Sequence, residues 1–93
     1  MIASFKDKDT KKIFDGEYSK KFPLEIQQRA RRKIDSLEWA NKLNDLRVPP
    51  SNRLEQLIGD RKGQWSIRVN DRFRICFKWK ENRAENIELV DYH

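Results

Sequence analysis

The single histidine of the chain, His93, is its last residue, and Asp91 and Tyr92 stand directly before it. A further carboxylate, Glu55, precedes a stretch rich in cations that includes Arg61, Arg68, Arg72, Arg74 and Lys78. These residue types exclude several chemistries. One histidine and one cysteine, Cys76, cannot build a zinc site. No glycine-rich phosphate loop is present. The acids are scattered and mostly helical rather than clustered as a two-metal nuclease needs, and no serine stands in a nucleophile context. The set does suit acid–base cleavage of RNA without metal or cofactor. In that reaction the ribose 2′-hydroxyl attacks the adjacent phosphorus. A base takes the 2′ proton, an acid protonates the leaving 5′ oxygen, and cations stabilise the charged phosphorane. Each residue also has a plainer reading: a terminal histidine as a solvated tail, Tyr92 as a packing residue, and Asp91 as a turn or salt-bridge residue.

The charge distribution favours a polyanion as partner. The 93 residues carry 21 cations and 15 anions. Residues 61–80 hold seven of the cations and one of the anions, Asp71, so the remaining 73 residues are balanced and the whole excess of +6 falls on one short segment. A concentrated basic patch attracts RNA, DNA or the ribosome, although a solvated basic face would have the same composition. The mean hydropathy of −1.01 makes most of the surface charged, yet ten aromatic residues with ample Ile, Leu and Val argue for a folded core. The first residues lack the basic stretch and apolar run of a signal peptide, and no segment approaches the roughly 20 apolar residues of a membrane span. A lone cysteine suits a reducing cytosol. We therefore expect one cytoplasmic domain over residues 1–93, with no membrane association.

Periodicity predicts the elements that must position these groups. Residues 2–5 read as a first strand. Asp7, Asp9 and Thr10 offer N-caps for a short helix that Gly16 ends. Pro23 opens a long helix over residues 23–45, with Ile26, Ala30, Ile34, Leu37 and Ala40 on one stripe. Trp39, Leu43 and Leu46 lie nearly opposite, either tucked under the next loop or facing a partner. Pro49 and Pro50 break the chain. Residues 53–58 read as a strand and residues 59–63 as a turn. Trp65, Ile67, Val69, Phe73, Ile75, Phe77 and Trp79 then alternate with Ser66, Arg68, Arg72, Arg74, Cys76 and Lys78 across a turn at Asn70-Asp71, which predicts a hairpin with one apolar and one cationic face. Residues 85–91 form a last strand. The expected fold is α+β: an N-terminal strand and two helices packed on one face of a mainly antiparallel, curved sheet. The other face would present Arg68, Arg72, Arg74 and Lys78. Strict alternation places Asp91 and His93 with Ile87 and Leu89 on the core side, so the chain end must turn at the rim to meet the arginines.

The run from Arg53-Leu54-Glu55 through Gly63-Gln64-Trp65-Ser66-Ile67-Arg68-Val69-Asn70-Asp71-Arg72-Phe73-Arg74-Ile75-Cys76-Phe77 resembles the core of HigB toxins in the RelE-like superfamily, and the closing Asp91-Tyr92-His93 and opening Met1-Ile2-Ala3-Ser4-Phe5 are similar to theirs. The resemblance implies a toxin of a type II toxin–antitoxin pair: an endoribonuclease that cuts mRNA on the ribosome by 2′-hydroxyl attack. It would be monomeric alone and silenced in a hetero-oligomer with a HigA-like helix-turn-helix antitoxin. His93 and Asp91 match the family's terminal acid–base residues, Tyr92 its aromatic neighbour, and Arg74 a cation near the scissile phosphate. Arg68 and Arg72, with Lys78 and Arg61, stand where RNA contacts are expected. The sequence departs from the pattern at Glu55 and Ile58, where some members carry a catalytic histidine and a lysine. Glu55 is then either the base that replaces that histidine, with His93 as acid, or a neutraliser of nearby arginines. A non-catalytic RNA- or ribosome-binding module that blocks translation is the alternative from a different class.

Overall fold

The computed structural model describes residues 1–92. Helix α1 (Lys8–Phe14) starts where the Asp7 side chain accepts from the Thr10 amide at 2.7 Å, which satisfies one of the unpaired donors of the first turn. Helix α2 (Leu24–Trp39) buries Ile26, Ala30, Ile34 and Leu37, the stripe expected from the spacing. It stops six residues before the expected end. The terminal ammonium of Met1 donates to Leu37 O at 3.0 Å and Ala40 O at 3.2 Å, taking carbonyls a longer helix would have used. The Asp45 carboxylate accepts from the Asn41 and Lys42 amides and starts a separate 3₁₀ turn, Leu43–Arg47. That break resolves the second apolar patch. Leu46 is buried and Leu43 packs on the core, whereas Trp39 remains 76% exposed.

The sheet is an antiparallel meander in the order β1 (Glu55–Gln56), β2 (Trp65–Arg68), β3 (Phe73–Lys80) and β4 (Arg83–Asp91). The strand expected over residues 53–58 is reduced to two residues, because Arg53 adopts a left-handed conformation (φ 45°) and Gly59–Arg61 forms a 3₁₀ turn. Residues 2–5 do not form a continuous strand. They run parallel to β4 with single bridges at Ile2–Ala84 and Phe5–Ile87. Here Asn86 (φ 52°) interrupts the regular pairing of β4. The side chain of Asn70 accepts from the Arg72 and Phe73 amides and closes the β2–β3 turn. Glu81 and Asn82, both at positive φ, close the β3–β4 turn.

Both helices cover one face of the sheet. Ile67, Val69, Phe73, Ile75, Phe77, Ala84, Ile87 and Leu89 meet Ile13, Ile26, Ala30, Ile34 and Leu37 there. The Leu89 amide donates to the buried Thr10 hydroxyl at 3.0 Å and ties β4 to α1. This is the expected α+β arrangement, and it leaves the opposite face of the meander without helices. Among the described residues, no helix is long and apolar enough to cross a membrane.

Candidate active site

Strand register sets two rows across the helix-free face. Glu55 stands opposite Ser66, Ser66 opposite Cys76, and Cys76 opposite Glu88. The next row is Arg68, Arg74 and Val90. Ser66 and Cys76 are fully buried although they point away from the helices. The reason is that arginine side chains lie flat over the sheet instead of standing in solvent.

Arg74 is the most firmly held of these cations. Its Nε donates to the Ser66 hydroxyl at 2.8 Å, and its Nη2 donates to the Arg53 carbonyl at 2.7 Å. Both acceptors are neutral, and among the described residues no carboxylate pairs with it. Its orientation is therefore fixed and its positive charge is uncompensated by an ion pair, which is the state that favours an incoming phosphate. The left-handed Arg53 thus presents its carbonyl to Arg74. Glu55 lies beyond Ser66 in the same row and is exposed. Among the described residues, it has no hydrogen-bond or ion-pair partner.

Arg61 reaches over the other side of the face from the turn between β1 and β2. Its Nη1 donates to Gln64 Oε1 and to Glu88 Oε1, both at 3.1 Å. Its partial burial opposes the charge. The hydrogen bond to Glu88 and the fields of Cys76, Glu88 and Tyr92 outweigh that and raise its pKa. Glu88 also lies 3.7 Å from Lys6. Burial pushes the Cys76 thiol up, with the Arg61 charge opposing, so this cysteine is held away from its nucleophilic form.

At the rim, Asp91 takes a fork from Arg72, with Nε at 3.0 Å from both carboxylate oxygens and Nη2 at 2.7 Å from one. The hydrogen bond to Asp91 raises the Arg72 pKa. The Arg72 guanidinium sits 5.3 Å from the centroid of the Phe73 ring, a core-side residue. Arg72 therefore leaves the open face on which alternation placed it and turns to the edge, where Asp91 meets it. The Tyr92 amide donates to Arg72 O at 2.6 Å and its side chain is 40% exposed. Arg68 pairs with Asp71, and Lys78 is exposed beyond the Cys76 row.

The geometry thus brings Arg74, Glu55, Arg61 and Tyr92 around one face. It sets the Arg72–Asp91 pair at the rim and leaves Arg68 and Lys78 at opposite ends. His93 lies outside the described residues. Two residues of the arrangement were not among the expected site residues. Ser66 alternates with Trp65 and Ile67, so its place beside Arg74 was readable from period 2. The partnership of Glu88 with Arg61, 27 residues apart, has no local signal.

Comparison with known proteins gives consistent relatives. A family profile described as the RelE-like toxin of the type II toxin–antitoxin system HigB matches residues 3–93. Toxin HigB-1 of Vibrio cholerae is 39% identical over 90 residues, covering 96% of this chain and 95% of that protein. Endoribonuclease HigB of Proteus vulgaris is 31% identical over 93 residues, the full length of both. The YoeB–YefM complex from Staphylococcus aureus contains a chain of the same fold, with a TM-score of 0.60 at 18% identity, covering 100% of this chain and 98% of that one.

Proposed function

The chain belongs to the HigB-like family of RelE-like toxins of type II toxin–antitoxin systems, and from that premise we propose that it is a metal-independent endoribonuclease that cuts mRNA on the ribosome in the cytoplasm. The observation that carries this reading is Arg74, a cation fixed by Ser66 and the Arg53 carbonyl on the open face that also carries Glu55, which has no partner among the described residues. A phosphodiester seated against Arg74 has its developing charge met without reorganisation. Glu55 takes the 2′ proton and His93 gives one to the 5′ oxygen. Asp91, held by Arg72, stands with His93 as the terminal acid–base residues, and Tyr92 offers a stacking surface for a base. Arg61, Arg68 and Lys78 contact flanking phosphates. An antitoxin of the HigA-like helix-turn-helix type silences the toxin in a hetero-oligomer. The relative named an endoribonuclease and the toxin–antitoxin complex of like fold both support the reading.

Brief expression of the chain beside Glu55→Gln tests it. The wild type introduces new 5′ ends inside translated mRNA, and the glutamine variant reduces them by about 100-fold with translation complexes still bound. Arrest of translation with no new ends in the wild type would favour a blocking module over a nuclease. Full cutting by the variant would remove Glu55 from the role of base.

A further inference from the structure

A second cationic feature lies outside the site described above. Arg29, Arg32, Lys33 and Ser36 recur at three- and four-residue spacing and so share one face of α2. With Pro49 and Asn52 they line a cleft of about 360 Å³ between α2 and the proline turn. The cleft is built rather than incidental. Asn52 is fully buried, its Nδ2 donates to Leu46 O at 3.0 Å, and its Oδ1 accepts from the Lys33 ammonium, which pins that lysine in place. The Ser36 hydroxyl donates to Lys33 O at 2.6 Å. Among the described residues, Arg29, Arg32 and Lys33 form no ion pair, although Asp35 stands on the same helix. Burial lowers the Lys33 pKa, and the Arg29 and Arg68 charges lower it further.

Like charges held together without a counter-charge cost energy that an anion would recover. The cleft and the open face are joined through the chain at residues 52 and 53: Asn52 lines the cleft, and the carbonyl of the next residue, Arg53, accepts from Arg74. We propose that the α2 cleft lined by Arg29, Arg32 and Lys33 is a second phosphate seat, taking the RNA backbone as it leaves the Arg74 face around the proline turn. The inference rests on the RNA-cleaving reading and extends it. The bound strand, or a structured RNA that carries it, is gripped on two sides of the 49–53 corner.

The test uses the full chain, a 2′-O-methyl RNA oligonucleotide that cannot be cut, and binding measured across a series of salt concentrations. Arg29→Gln/Arg32→Gln removes two exposed charges from the cleft. The double variant should lower the log–log salt slope by about 1.4, the release expected for two contacts on a single strand. Arg29→Lys/Arg32→Lys should restore the wild-type slope. An unchanged slope in the glutamine pair overturns the second seat while leaving the RNA reading in place, as does a lysine pair no better than glutamine. No salt-dependent binding by the wild type overturns both.

Discussion

Replacing Arg74 with alanine is expected to slow RNA cleavage by about 10²–10³-fold while leaving the fold in place, the effect of removing one preorganised donor from a developing anion. The magnitude follows from how the side chain is held. A solvated arginine must be oriented as the transition state forms, whereas Arg74 is already fixed through Ser66 and the Arg53 carbonyl. Its charge has no carboxylate partner among the described residues, unlike Arg61, Arg68 and Arg72, which spend theirs on Glu88, Asp71 and Asp91. Alanine also leaves the buried Ser66 hydroxyl without this donor, at a cost of about 1–3 kcal/mol, so single-turnover rates should be read together with thermal unfolding. Arg74→Lys should recover only part of the rate, because one ammonium cannot reproduce the planar fork that spans both acceptors. Cleavage at the wild-type rate in Arg74→Ala would show that the reacting phosphate sits elsewhere.

His93→Ala is expected to reduce cleavage by about 10²–10⁴-fold, the range for losing a positioned general acid, with RNA binding nearly unchanged. This is the chain's only histidine, and it directly follows the segment in which Arg72 grips Asp91 and the Tyr92 amide donates to Arg72 O. Binding should survive because the cations on the sheet are untouched. The readouts are the cleavage rate and the dissociation constant for the same RNA. Equal losses in both would reassign His93 to binding, and an unchanged rate would remove it from the chemistry.

The alternating run from Trp65 to Trp79 was enough to foresee the two faces of the hairpin, because a period of two has only one way to bury its apolar side. The stripe from Ile26 to Leu37 similarly fixed which side of α2 meets the sheet. Where α2 ends was not legible. It depends on the Met1 ammonium reaching carbonyls 36 and 39 residues away, and no local pattern carries that. Arg72 is a further case. Alternation sets it among the face cations, but it lies just outside the last pair of the sheet, Phe73–Asp91, and Asp91 with the Phe73 ring draws it to the rim. The difficulty posed by strict alternation at Asp91 has the same answer, since this residue is exposed at the edge rather than buried with Leu89. Conversely, the cations between residues 61 and 80 mark the basic segment, but composition carries no sign that Arg61, Arg68 and Arg72 pair with carboxylates while Arg74, among the described residues, is held by neutral acceptors alone.

The most direct measurement is cleavage of a translated mRNA carrying a single 2′-deoxynucleotide immediately 5′ of a mapped cut. If the reaction proceeds by attack of the adjacent 2′-hydroxyl, that site resists cutting while unmodified sites on the same molecules are cut at the normal rate, with 2′,3′-cyclic phosphate on the upstream fragments. Cutting of the deoxy site at the unmodified rate would contradict the account, since water rather than the ribose would then be the nucleophile and neither Glu55 nor His93 would have the role given to it.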